Sequence, residues 1–174
     1  MIDNRLDEER GTVTRERTHE WADPREQAKA AHGMDGLEFM RFLVREGGIP
    51  MGSTLGFRVT KADPGRVVIT CEVGEHLYNP IGSVHGGVAA SLLDSVAGSA
   101  VHTTLPAGTA YSSLDLTVHY LRPITAETGL VRAIGTVLNR GRRTALAQAE
   151  LRDPADRLLA HATSSCMLFP VDAP

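Results

Sequence analysis

The sequence predicts a single α+β domain in which one long apolar helix packs against a mostly antiparallel sheet. Residues 88–104 repeat apolar side chains every four positions and fill most other positions with Ala, Ser or Gly. This pattern is typical of a helix that other elements surround. Short segments before and after it alternate apolar and polar residues and are separated by Gly, Pro and Asp, as strands are. The length of 174 residues fits one domain.

Before the long helix, we predict an extension, a shorter helix and a hairpin. Residues 1–34 are rich in charge and form either a mobile tail or a segment that wraps a neighbour, ahead of a domain over 35–174. A helical apolar stripe starts after Asp35 and stops at Gly47-Gly48. Two alternating segments then flank an Asp-Pro-Gly turn at 63–65, and their inward positions are Leu55, Phe57, Val59, Val67, Ile69, Cys71 and Val73.

After the long helix, the pattern predicts three or four more strands. The segment Tyr111–Leu121 reads as one strand, because apolar residues at 114, 116, 118 and 120 alternate with polar residues at 113, 115, 117 and 119. Residues 129–138 and 144–152 form a pair, and a strand at 158–169 follows a turn. Such a sheet has one face on the helix and free edges, which favours a dimer.

Composition and charge exclude several classes of function. The net charge of −3 gives no overall attraction for nucleic acid or an anionic membrane. No apolar run reaches membrane-spanning length and the N-terminus lacks the apolar core of a signal peptide, so we expect a cytoplasmic protein. Cys71 and Cys166 lie in strand-like patterns without a Cys/His cluster, which predicts buried small hydrophobes and no metal site.

One carboxylate stands inside the apolar helix, at Asp94. A buried acid costs free energy unless it has a partner or a function. Its neighbours four residues away are Ala90 and Gly98, which leave room for a ligand. The alternative is a carboxylate that faces water beside Ser91 and Ser95.

The segment before the helix supplies a second candidate. Gly86 and Gly87 lie where the first N–H groups of the helix are unpaired and carry partial positive charge, a suitable cradle for an oxyanion. A plain tight turn is the other interpretation. His85 is either a hydrogen-bond donor or a structural histidine, and Asn79 before Pro80 either fixes a ligand or forms an Asx turn.

Four arginines are candidates for binding phosphate, because guanidinium groups match phosphate oxygens. An ordinary solvated basic turn would use the same residues. Three scattered histidines (His102, His119 and His161) lack metal-ligand spacing and receive no role. The four arginines are Arg122, Arg140, Arg142 and Arg143.

These motifs together resemble the hotdog-fold acyl-CoA thioesterases of the phenylacetate-degradation, or PaaI-like, family. The resemblance rests on Asn79-x5-His85-Gly86-Gly87, on Asp94 in the following helix, and on the strand 113–123. The basic turn at 140–143 and the residues after it are also similar to the family's next hairpin. The match covers roughly residues 36–170 and leaves out the N-terminal extension.

The resemblance implies a role for each of these positions. Asp94 takes the place of the catalytic carboxylate, as general base or nucleophile toward the thioester carbon. The oxyanion donor falls on the backbone N–H of Gly86 or Gly87, while Asn79 and His85 position the carbonyl or the water. The family also implies a hotdog fold and a dimer or tetramer in which two chains share each active site.

Further implications concern the remaining residues and the substrate. A water-orienting hydroxyl falls on Ser113, or on Ser112. The arginines at 122, 140, 142 and 143 become candidates for the CoA phosphates. The implied activity is hydrolysis of aryl- or medium-chain acyl-CoA, without a cofactor, since the CoA thioester is the substrate. A non-catalytic acyl-CoA-binding protein and a hotdog hydratase or dehydratase are the alternatives.

Overall fold

The structure is a computed structural model that describes residues 14–46 and 48–171. Its central element is α4 (Gly86–His102), which packs against one seven-stranded antiparallel sheet. The strands are β1 (Phe57–Asp63), β2 (Arg66–Glu72), β3 (Thr109–Ser113), β4 (Thr117–Tyr120), β5 (Leu130–Arg140), β6 (Thr144–Arg152) and β7 (Leu158–Pro170). Their order is β1-β2-β5-β6-β7-β3, and β4 also pairs with β7. The α+β architecture predicted from the sequence is confirmed.

The core lies between α4 and the inner face of the sheet. On the helix, Leu93, Val96 and Val101 are fully buried. The buried strand residues opposite the helix are small, and positions 133, 147, 149 and 162 are all alanine. At Gly135 on β5 even an alanine is excluded, because an added Cβ would lie 2.2 Å from the Val96 carbonyl oxygen. The helix therefore rests on the backbone of the sheet, which fixes the depth of its side chains.

In the described residues, three short helices precede the sheet, and only one of them was predicted. The predicted helix after Asp35 is α2 (Gly36–Glu46), while Gly47 of the predicted stop lies outside the described residues, as do 1–13 and 172–174. The helix α1 (Pro24–Ala30) lies within the predicted extension, where Asp23 caps it and Pro24 opens it. The helix α3 (Pro50–Leu55) corrects the hairpin, because Leu55 ends a helix and does not start a strand.

The described part of the extension contacts the domain. The His19 ring Nδ1 donates to the Ser53 carbonyl oxygen at 3.2 Å, and Gln27 donates to the Gly48 carbonyl oxygen at 3.0 Å.

Two boundaries of secondary-structure elements were predicted wrongly from the sequence. The long helix was predicted over 88–104 and runs over 86–102, so that the two glycines form its first turn. The single strand predicted over 111–121 is two strands, β3 and β4. The β1–β2 hairpin, β5, β6 and β7 are confirmed, and Cys71 and Cys166 are buried as predicted. Across the described ranges, no helix combines the length and the apolar character needed to cross a membrane.

Candidate active site

The first turn of α4 presents a backbone donor that is free to bind a ligand. His85 is the N-cap, and its Nδ1 accepts the Gly87 N–H at 2.9 Å. The Val88 N–H donates to the His85 carbonyl oxygen, also at 2.9 Å. Within the part of the chain that the structure describes, the Gly86 N–H has no protein acceptor. Of the two glycines predicted as donors, Gly86 is thus the available one, at the positive end of a 17-residue helix.

Tyr120 covers the same turn, a contact that sequence reasoning missed. Its hydroxyl donates to the Gly86 carbonyl oxygen at 3.2 Å, and a Cβ added at Gly86 would lie 3.3 Å from its ring. Beside it lies an open cavity of about 370 Å³, which Ala89 and Arg122 also line. The cavity places apolar surface next to the free Gly86 N–H.

The second part of the site is a hydrogen bond between α4 and β3. The Ser113 hydroxyl donates to Asp94 Oδ1 at 2.9 Å. Ser113, and not the alternative Ser112, faces the helix, because successive strand residues point to opposite faces. The pair lies in an open cavity of about 350 Å³ that Ala90 and Ser91 also line. Asp94 is half-buried, which leaves its carboxylate open to a ligand while the Ser113 hydroxyl holds it in place.

The break after Ser113 shapes the wall of this cavity. Ser113 pairs with Cys166 and Thr117 pairs with Thr163, so the β3–β4 side carries one residue more than β7 does. Asp115 holds the extra residue in place: its Oδ1 accepts the Ser165 N–H at 2.9 Å. The bulge turns the side chains after Ser113, which leaves Leu114 58% exposed at the mouth of the cavity.

Asn79 lies in the loop before α4 and satisfies its amide locally. Its Oδ1 accepts the N–H groups of Ile81 and Ser83 at 3.1 and 3.2 Å, and its Nδ2 donates to the Ser83 hydroxyl at 3.0 Å. This is the Asx-turn alternative of the sequence analysis.

Within one chain, the two parts of the site do not meet. Gly86 and Asp94 are eight residues apart on one helix, which separates them by about 12 Å along its axis. A thioester group is far too short to contact both.

The candidate phosphate-binding arginines fall into two places. Arg142 and Arg143 are exposed in the β5–β6 turn, next to Arg140 at the end of β5. Register places Arg140 in one row with Ala145, Cys166 and Ser113, which puts it three strand spacings, about 14 Å, from Ser113. Arg122 instead donates to the Leu158 carbonyl oxygen and lines the cavity beside Gly86.

One further residue near Asp94 was missed. Tyr111, two residues before Ser113, places its ring on Gly98, one helical turn after Asp94. Burial raises the pKa of its hydroxyl far above the usual range, so the ring is neutral at any physiological pH. The available signal was the alternation of β3, which places Tyr111 and Ser113 on the same face.

Comparison with known proteins agrees with this fold. The thioesterase superfamily profile matches residues 81–160. A protein named as an esterase in Halobacterium salinarum is 35% identical over 109 residues, which are 60% of this chain and 70% of the relative. Human acyl-coenzyme A thioesterase 13 is 30% identical over 97 residues, 56% of this chain and 68% of that protein. The structure of a phenylacetic acid degradation-related protein from Ralstonia eutropha JMP134 is similar, with a TM-score of 0.65 and 33% identity over 73% of this chain and 96% of the other.

The fold and these relatives define an enzyme of the hotdog class that hydrolyses thioesters. The chain belongs to the thioesterase superfamily, which confirms the family expected from its motifs.

Proposed function

We propose that this enzyme hydrolyses aryl- or medium-chain acyl-CoA to the free acid and CoA. The observation that carries the proposal is the Asp94–Ser113 hydrogen bond at the wall of an open cavity. Human acyl-coenzyme A thioesterase 13, by its name, acts on acyl-CoA, and it aligns with more than half of this chain. Hydrolysis of a thioester needs a base or a nucleophile beside the carbonyl carbon, and a carboxylate in a pocket can serve as either.

In the proposed reaction, the thioester carbonyl accepts the Gly86 N–H at the start of α4. The Asp94 carboxylate either removes a proton from an attacking water or attacks the carbonyl carbon itself. The C–O bond that forms pushes the carbonyl electrons onto oxygen, where the helix terminus stabilises the negative charge. Collapse of this intermediate breaks the C–S bond and releases CoA as thiolate. If Asp94 acted as a base, the proton that it took from water passes to the thiolate. If Asp94 attacked the carbon itself, water then hydrolyses the mixed anhydride, which frees the acid and restores the carboxylate, and the thiolate takes up the proton that is released. The Ser113 hydroxyl keeps Asp94 in the orientation that the attack requires.

Two copies of the chain are part of this proposal. Because about 12 Å separates Gly86 from Asp94 along one helix, one carbonyl contacts both groups only when they come from different chains. The edge that carries β3 and β4 is suited to this contact. Its outward side chains Leu114 and Tyr120 are more than half exposed, which is costly for a monomer.

The other candidates take supporting roles in the proposal. His85 fixes the first turn of α4 through the Gly87 N–H, and Asn79 fixes the loop that leads into it. Arg140 lies about 14 Å from Ser113 along one row of the sheet, with Arg142 and Arg143 in the turn that follows it, and we assign these three arginines to the CoA phosphates together with Arg122.

The test is the release of free thiol from a panel of acyl-CoA substrates by the wild type and by Asp94→Asn. Loss of the general base or nucleophile lowers kcat by about 10²- to 10⁴-fold. Asp115→Asn is the matched control, since its carboxylate lines the same cavity but its amide oxygen can still accept the Ser165 N–H. Its rate should stay within a few-fold of the wild type.

Three results would count against the proposal. A wild type that releases no thiol from any acyl-CoA would refute the substrate class. Equal rates in the wild type and Asp94→Asn would remove Asp94 from the mechanism. Light scattering that shows a fully active monomer would contradict the shared site.

A further inference from the structure

The cavity beside Gly86 joins the proposed oxyanion donor to a set of buried apolar side chains. Gly86 lines this space of about 370 Å³ together with Val84, Ala89 and Ile124, and these last three residues are buried. The Val84 N–H donates to the Ile124 carbonyl oxygen at 2.8 Å, which ties the loop before α4 to the segment after β4. The cavity therefore has a fixed apolar floor next to the free Gly86 N–H.

The polar side chains that line this cavity already have partners in the protein. The Ser83 hydroxyl accepts an amide N–H of Asn79 at 3.0 Å, and the Tyr120 hydroxyl donates to a backbone carbonyl of α4 at 3.2 Å. Arg122 donates to a carbonyl oxygen of β7 and is itself exposed, so its charge stays in solvent. An apolar group that enters the cavity leaves none of these three side chains without a hydrogen bond.

The cavity at Asp94 has a different character. The carboxylates of Asp94 and Asp115 both line it, and although Leu116 lines it too, an apolar group placed there would strip water from two charged groups. The amides of the CoA arm, by contrast, can donate hydrogen bonds to carboxylates. In the shared site, a thioester carbonyl on the Gly86 N–H therefore places its acyl group in the cavity beside Gly86 and its CoA arm toward the Asp94 cavity of the other chain.

The size of the cavity beside Gly86 suits one ring with its linker. An apolar cavity of about 150 Å³ holds a benzene molecule, so a space of about 370 Å³ that is partly open to solvent accommodates a ring and the atoms that join it to the carbonyl. Among the three buried residues of the floor, Ile124 has the largest side chain. It is also the one that lies neither on α4 nor in the loop before it, so its side chain sets the depth of the cavity without forming part of the oxyanion turn.

Resting on the proposed function, we propose that the cavity beside Gly86 is the acyl site and that Ile124 is the specificity residue that limits the size of the acyl group. The acyl group extends from the carbonyl on the Gly86 N–H, passes the Tyr120 ring and ends against the Ile124 side chain. A single ring fits above Ile124, and a fused second ring does not.

The test compares phenylacetyl-CoA and 2-naphthylacetyl-CoA as substrates of the wild type, Ile124→Ala and Leu116→Ala. Each buried methylene is worth about fourfold in kcat/KM, and Ile124→Ala frees the space of three carbons, so the naphthyl-to-phenyl ratio should rise at least about tenfold. The backbone bond from Val84 to position 124 is kept in this variant. Leu116→Ala is the matched control, because it shortens a side chain in the cavity at Asp94, and it should leave the ratio within about twofold.

A smaller change covers the case in which Ile124→Ala does not fold. Ile124→Val removes one carbon from the floor and should raise the same ratio by about two- to fourfold. The Tm of each variant, measured by scanning calorimetry, shows which of them is folded.

A second readout separates this inference from the proposed function. Binding of the 2-phenylethyl and 2-naphthylethyl thioethers of CoA, measured by titration calorimetry, needs no hydrolysis and reports the size of the acyl site alone. The naphthyl thioether should gain affinity in Ile124→Ala and not in Leu116→Ala. Unchanged ratios in both readouts for a folded Ile124 variant would overturn the inference, as would a rise in Leu116→Ala instead. If the thioethers follow the prediction while no acyl-CoA is hydrolysed, the proposed function fails and the assignment of the cavity and of Ile124 stands.

Discussion

Gly135→Ala should both destabilise the enzyme and slow it, because this glycine sets the distance between α4 and the sheet. The new Cβ would lie 2.2 Å from the Val96 carbonyl oxygen and 2.6 Å from its carbon, which are helix backbone atoms that cannot rotate away. Ordinary contact begins near 3.4 Å, so α4 must retreat by roughly 1 Å. Overpacking of this kind costs about 3 kcal/mol, and the lower entropy of the unfolded alanine chain offsets about 1 kcal/mol of it.

The net loss of about 2 kcal/mol corresponds to a fall in Tm of about 4–8 °C for a domain of this size. Scanning calorimetry measures the Tm, and thiol release measures the rate. Asp94 lies two residues before Val96, so the retreat also moves it away from Ser113, and a shift of that size lowers kcat by about 10- to 100-fold.

Gly74→Ala is the matched control for this change. Its Cβ would meet only the His76 imidazole, at 3.0 Å, and that ring can turn aside. The Tm and rate of the control should stay close to those of the wild type. A Gly135→Ala protein with the Tm and kcat of the wild type would refute the reasoning that the helix rests on this glycine.

Three further predictions concern the helix cap, the thiols and acid stability. His85→Ala removes the acceptor of a first-turn N–H, which lowers stability by about 1 kcal/mol in urea unfolding, while His85→Asn restores it. Burial raises the pKa of the Cys71 thiol to about 11 and also raises that of Cys166, so iodoacetamide at pH 8 should label them rapidly only after unfolding, as mass spectrometry would show. Although burial alone would raise the pKa of Asp153, hydrogen bonds from the Arg157 backbone and guanidinium hold it below the ordinary 3.8. The stability that Asp153 contributes is therefore complete above pH 3.8 and is lost as the pH falls through the lower, folded-state pKa, so the difference in unfolding midpoint between wild type and Asp153→Asn should shrink below that pH.

The elements that the sequence predicted well are those whose burial pattern is regular. The α4 helix shows a repeat of four because other elements enclose it, and β6 alternates from Ala145 to Leu151 because one face lies on that helix. The short helix α3 shows no such repeat. It is one and a half turns between Pro50 and Gly56, and Gly56 ends it in the left-handed conformation with a φ of 82°. The proline and the glycine that bound this helix were visible in the sequence. The apolar alternation of the following strand, however, already began at Leu55, so the end of the helix was predicted as strand.

The bulge between β3 and β4 had no sequence signal of its own. The alternation from Ser113 to Tyr120 continues unbroken through the extra residue, and a one-residue shift in pairing leaves no trace in composition. The interaction of Asp115 with the Ser165 backbone, which holds the bulge, joins residues fifty positions apart. Such contacts depend on which strands become neighbours, and a local pattern carries no information about that.

The same limit applies to the site, where the sequence identified the groups but not their spacing in the fold. Asp94, the His85-Gly86-Gly87 turn and the Ser113 hydroxyl were all predicted as site groups, and the structure adds that Ser113 bonds directly to the Asp94 carboxylate. A glycine turn and an acid at the two ends of eight helical residues cannot share one carbonyl within a chain. The proposal of a second chain therefore rests on the rise of an α-helix, independently of the exposed edge that first suggested a dimer. If both groups act, mixing inactive Asp94→Asn chains with chains impaired at Gly86 should restore activity in the mixed dimers, since one of their two shared sites is then intact.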